Sequence, residues 1–137
     1  MHKARVLVHM SCAITHGHGM YDTRAHYDLD AWKVARELVK AIYLHTQTFP
    51  RVELFGLTIQ MRRAAVSIPS NIAEGAARKG PREFAQFLNI ARGSLSELEP
   101  QLLIASDLGY INPGDPVFDL ARRLARLLTG LHKAVAD

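Results

Sequence analysis

Four stretches of this chain repeat aliphatic side chains every three or four residues, and the first three are each closed by a proline or glycine break. That period puts the apolar residues of a segment on one face of an α-helix. The first stripe is Trp32, Ala35, Leu38, Val39, Ile42, Tyr43 and Thr46. With Asp30 as cap it predicts a helix from about Ala31 to Thr48, ended by Phe49-Pro50. A second helix is predicted from Leu57 or Thr58 to about Arg78, before the break Lys79-Gly80-Pro81. The third starts at Pro81, carries Phe84, Phe87, Leu88, Ala91, Leu95, Leu98, Leu102 and Ala105, and stops at Gly109. After Asn112-Pro113-Gly114, Asp115 is placed to cap a fourth helix with the stripe Val117, Leu120, Leu124, Leu127, Leu128, Leu131 and Val135. Four helices joined by short links predict an all-α, up-down-up-down antiparallel four-helix bundle.

Composition supports one helical domain: apolar residues make up 48% of the 137 while aromatics are only 7%, so aliphatic side chains must fill the core. The bundle is assigned to residues 29–137. Residues 1–28 hold five of the seven histidines and show no helical period, which predicts a poorly ordered tail, with Met20 as an alternative start. Cys12 is the only cysteine, so no intrachain disulfide can form and a cytoplasmic, reducing setting is expected. No apolar run reaches membrane-spanning length, and Val6-Leu7-Val8 is too short and broken for an export signal. Two prolines, Pro69 and Pro100, fall inside helical patterns, where the lost donor and the ring clash predict kinks or breaks. At Pro69 the following Ser70 and Asn71 can satisfy freed backbone groups, so that helix is able to bend and continue.

The second helix has two apolar sides. Met61, Ala64, Ala65, Ile68 and Ile72 form the seam that faces the core, while Ile59, Val66 and Ala73 recur at seven-residue spacing on another side, flanked by Arg62 and Pro69. The second seam fits either a self-association surface, with Ile59, Val66, Pro69 and Ala73 at the interface, or packing against another helix of the same bundle. A polar ladder, Arg63, Ser67, Ser70, Glu74 and Arg78, fits a solvated face, or a strip that lies between subunits or binds phosphate. Its Ser67, Ser70, Asn71 and Glu74 belong to the most distinctive run of the chain.

The formal charge is +4, and 12 of the 17 cations are arginine, whose planar fork suits phosphate. On the fourth helix Arg122, Arg126, Thr129 and Lys133 share one sector, and no acid lies between Asp119 and Asp137. With Arg62, Arg63, Arg78, Lys79, Arg82 and Arg92 they are candidates for a phosphate-attracting surface. The plainer reading is that cations near a helix end offset the macrodipole. Aromatics do not alternate with these cations, so recognition by shape and backbone is expected in place of base stacking.

Motifs that carry chemistry are scarce. There is no phosphate-binding glycine loop, no His-Glu-x-x-His and no cysteine pair, and the carboxylates lack the Glu-x-x-His repeat of di-iron bundles. The histidines of His16-Gly17-His18 are read as an adventitious metal binder at most. No cofactor, resident metal or catalytic residue is expected, and the chain is read as non-enzymatic.

The run Phe55-Gly56-Leu57-Thr58, then Gln60-Met61-Arg62-Arg63-Ala64-Ala65-Val66-Ser67-Ile68-Pro69-Ser70-Asn71-Ile72-Ala73-Glu74-Gly75, resembles the signature of the 23S rRNA-intervening-sequence four-helix bundle family of bacteria. Upstream, Leu29-Asp30-Ala31-Trp32-Lys33-Val34-Ala35 and Ile42-Tyr43 are similar to the family's first helix. Downstream, Glu83 to Ser94 and Glu97-Leu98 are similar to its third helix, and Leu108-Gly109-Tyr110-Ile111 to the segment after it. The resemblance implies a bundle that assembles as a ring, typically a homopentamer. It also implies a link to RNA, since some members are encoded within intervening sequences of ribosomal RNA genes. Relatives serve as accessory variability proteins of diversity-generating retroelements and bind a reverse transcriptase and RNA. The expected partners are therefore further copies of the chain, structured RNA or other nucleic acid, or a protein such as a reverse transcriptase.

Overall fold

The computed structural model describes residue 26 and residues 29–136. Cys12, the His16-Gly17-His18 pair, Met20 and nearly all of the expected tail lie outside the described residues. His26 is the exception: it is buried, with its ring edge-on to Trp32 at 4.7 Å. Helix α1 spans Asp30–Thr46, α2 Leu57–Ala76, α3 Pro81–Asp107 and α4 Pro116–Ala136, with a single 3-10 turn at Arg51–Glu53 between α1 and α2. No strand occurs among the described residues.

Each helix packs against its neighbours in the order α1, α2, α3, α4 and back to α1. Contacts along the seams set the directions. His45, at the end of α1, meets Asp115, just before α4, while Pro81 and Arg82 at the start of α3 line a groove with Val135 and Ala136 at the end of α4. Adjacent helices thus run antiparallel, the up-down-up-down bundle that short links require. The predicted stripes fill its centre: Leu38, Ile42, Met61, Ile68, Ile72, Leu88, Leu98, Leu102, Leu124 and Leu128 are essentially inaccessible. Burial of each such side chain contributes about 1.5–3 kcal/mol. The core stripe of α2 is the predicted one, since Met61, Ala64, Ala65, Ile68 and Ile72 are all buried.

The helix ends follow local chemistry, with one correction. Asp30 does not cap α1; it is the first helical residue, and buried Leu29 takes the extended cap position with no side-chain cap bond. In the first turn the Asp30 carboxylate instead meets the positive end of the helix dipole. Asp115 does cap α4, accepting the Val117 N–H at 2.9 Å. The end of α3 is a Schellman motif: Gly109 has φ 79°, its N–H reaches Ser106 O at 3.0 Å, and the Tyr110 N–H reaches Ala105 O at 2.8 Å.

Neither internal proline breaks its helix, contrary to the expectation at Pro100. Around Pro69, the Ser70 hydroxyl donates to Val66 O at 2.8 Å and the Asn71 amide to Ser67 O at 2.8 Å, so side chains supply the carbonyls next to the gap. Pro100 stands on the exposed face of α3, as does Ser96, whose carbonyl the proline leaves unbonded. That face is open to solvent, which is able to stand in for the missing donor.

Candidate assembly and nucleic-acid interface

At about 100° per residue, Ile59, Val66 and Ser70 of α2 point away from the bundle axis. Ile59 is 37% and Val66 40% exposed, while Pro69 and Ala73 are half-buried toward the α1 side. The second seam therefore does not disappear beneath another helix of its own bundle. Together with Tyr43 of α1 it borders an open groove of ≈ 440 Å³, also lined by Arg62, Arg63 and Ser67. The Tyr43 ring, placed by its spacing on the α1 core stripe, is 39% exposed at the edge of that stripe.

Arg62 is a wall of this groove and not a free cation. Its Nε donates to Thr46 Oγ1 at 2.8 Å, and its guanidinium lies 4.6 Å from the centroid of the Tyr43 ring. The hydroxyl of Thr46 in turn donates to Ile42 O, so α1 holds the arginine in place. On the opposite flank of α2, the Ser67 and Ser94 hydroxyls are 2.8 Å apart across the α2–α3 seam, and Asn71 donates to Ser67 Oγ at 3.0 Å. The polar ladder is thus partly a fastening between helices. Glu74 and Arg78 pair at 3.1 Å, and the Arg78 guanidinium covers Phe87 at 5.1 Å. Gly75, at the end of the distinctive run, was not singled out by pattern, yet it is a point of close approach between α2 and α3, against Phe84 and Phe87.

The nine candidate phosphate-binding cations do not form one surface. Arg62 and Arg63 flank the α2 groove, and Arg78 and Lys79 stand near the α2–α3 link. On α3, Arg82 borders the groove shared with the end of α4, and Arg92 donates to Asn89 at 3.3 Å, another residue of that groove. Arg122, Arg126 and Lys133 are exposed along the outer face of α4, Arg122 being paired with Asp119. Arg63, Lys79, Arg82, Arg126 and Lys133 make no ion pair within the described part of the chain.

Among the described residues no group of three or more His, Cys, Asp or Glu could hold a metal ion, and no helix is long and apolar enough to cross a membrane. Two further polar contacts tie down the loops: Tyr110 donates to Glu53 at 3.1 Å, and His45 Nε2 meets Asp115 Oδ1 at 3.0 Å.

The fold and this surface define a small all-α bundle with an uncovered apolar seam on one helix and separate basic faces. A family model, the 23S rRNA-intervening sequence protein, matches residues 27–130, and the chain belongs to that family. No curated protein matches it.

Proposed function

We propose that this protein is a non-enzymatic binding protein that assembles with copies of itself, as a ring typical of a homopentamer, and holds structured RNA or another nucleic acid on its arginine-rich faces. The observation that carries the reading is the outer side of α2, where Ile59 and Val66 stay exposed beside Tyr43 although the helix already gives its other apolar side to the bundle core. Small apolar patches are ordinary, but one built at heptad spacing along a helix suits a partner helix. Repetition of the subunit multiplies the unpaired cations Arg82, Arg126 and Lys133, and a closed array of them attracts phosphate more strongly than one chain does. The family's name, taken from an intervening sequence of 23S rRNA, supports RNA as the nucleic acid.

A second reading, an adaptor that grips a protein partner such as a reverse transcriptase, draws on the end of the bundle. There Val52 is 84% and Phe55 90% exposed beside Leu54. Titration of the assembled protein against structured RNA and duplex DNA at roughly 50 and 200 mM salt separates the two readings. Binding that weakens steeply with salt and prefers one nucleic acid supports the first. No binding at the lower salt removes nucleic acid as the direct ligand and leaves the adaptor.

A further inference from the structure

The described chain carries a second uncovered apolar strip whose charge is opposite to the first. On α3, Glu83, Ile90, Glu97 and Ile104 recur at seven-residue spacing, and all four are exposed, Ile90 by 51% and Ile104 by 48%. Ser94, which is bonded to Ser67 across the seam, stands between Ile90 and Glu97 on the α2 side of that helix. The strip therefore looks outward beside the α2–α3 seam, whereas the groove of Tyr43, Ile59 and Val66 opens beside the α1–α2 seam. Acids interleave with the isoleucines of α3; Arg62 and Arg63 stand between Ile59 and Val66 of α2. Within one chain Arg63 and Glu97 make no ion pair.

We infer that the α3 strip of one copy is the surface on which the α2 groove of the next copy docks, with Glu97 seated between Ile59 and Val66 and facing Arg63. This deepens the self-assembly proposed above and rests on it. The spacing fits: at 1.5 Å per residue Ile59 and Val66 are separated by about 10 Å, and Ile90 and Ile104 by about 21 Å with Glu97 midway. With the centres aligned, each isoleucine of α3 falls about 5 Å beyond an apolar side chain of α2, so the rows interdigitate. Charge excludes the symmetric alternatives. A two-fold contact of α2 with α2 centred on this groove sets Arg62 and Arg63 against the same arginines, and one of α3 with α3 sets Glu97 on Glu97; like charges so placed cost several kcal/mol.

Only the head-to-tail pairing matches apolar with apolar and acid with arginine. Such a contact uses two different faces and leaves one of each open on every chain until a ring closes. The faces are neighbouring sides of a four-cornered bundle, about a quarter-turn apart, so successive copies curve round and do not extend as a straight filament.

The test is charge reversal read by the mass of the full chain in solution, with circular dichroism as a check on folding. Arg63→Glu and Glu97→Arg are exposed substitutions, and each should raise the concentration of half-assembly by about tenfold or more with helicity unchanged. The double variant should recover most of that loss. Wild-type protein that assembles while both single variants assemble equally well overturns the pairing but leaves self-assembly standing. Single variants that dissociate without recovery in the double variant also overturn the pairing. A wild-type chain that is monomeric at every concentration overturns both this inference and the assembly on which it rests.

Discussion

Phe87 of α3 lies directly over Gly75 of α2: a Cβ built on Gly75 would stand 2.6 Å from Phe87 Cβ and 3.0 Å from a ring carbon of Phe84. The closest of these atoms is fixed to the α3 backbone, so it cannot swing aside as the end of a flexible side chain would. Gly75→Ala should therefore push the two helices apart and destabilise the fold by about 1–3 kcal/mol. Urea unfolding with an unchanged slope and a lower midpoint is the expected signature. A neutral or stabilising alanine would show that the seam has slack.

The Ser67–Ser94 hydrogen bond fastens the same two helices one face further round. Each of Ser67→Ala and Ser94→Ala is expected to cost about 0.5–1.5 kcal/mol, and the double variant less than their sum, because either change alone removes the shared bond. Ser94 also donates to Ile90 O, and Asn71 also donates to Ser67 O and Oγ, so after either change the polar groups left behind keep a partner within their own helix. A fully additive double-mutant cycle would mean that the two hydroxyls do not act as a pair.

Tyr110 is held by the turn after α3, with its phenol directed at the Glu53 carboxylate and its ring 5.0 Å from Phe49. Loss of water around the phenol, then the bond to Glu53 and the charge of that carboxylate, raise its pKa above the usual 10.0. The neutral phenol is thus favoured more in the folded than in the unfolded chain. Its contribution to stability is complete below pH 10 and is lost as pH rises through the folded-state value. Absorbance titration of tyrosinate should show a late-ionising component that disappears in Tyr110→Phe. In that variant, stability should fall less steeply with alkaline pH.

The cations separate by what they already touch. Arg126→Ala with Lys133→Ala removes two exposed charges without an intrachain ion pair, and should reduce the slope of log affinity for RNA against log salt by about 2. Arg62→Ala breaks the bond to Thr46 and uncovers Tyr43, so its main effect should be on stability or assembly with that slope unchanged. Equal slopes for wild type and the Arg126/Lys133 double variant would remove α4 from the nucleic-acid reading.

The bundle was legible because its information is local and periodic. The stripes through Leu38 and Ile42, Met61 and Ile68, Leu95 and Leu102, and Leu124 and Leu128 are all core, and Gly109 ends α3 in the left-handed turn that a glycine favours. The continuity of α3 through Pro100 is not legible in the sequence because it depends on that face of the helix being open to solvent. Asp30 misled because acids are common both as caps and in first turns, and only the buried Leu29 decides between them. On the candidate surface, the two apolar sides of α2 could be read from spacing, as could the Glu74–Arg78 pair one turn apart. The hold of Thr46 on Arg62 and the close approach at Gly75 could not, since each joins residues of different helices whose relative rotation no single stripe specifies.

A contact between chains through Ile59 and Val66 is decided by the solution mass of wild type and Val66→Asp across a concentration series. Wild type should sediment as a multiple of the 15.3 kDa chain, and Val66→Asp should fall to the single chain with its helical circular dichroism intact. A wild-type mass of 15.3 kDa at all concentrations, or loss of helicity in Val66→Asp, would contradict the account. The first would mean that the seam stays uncovered, the second that Val66 belongs to the bundle itself.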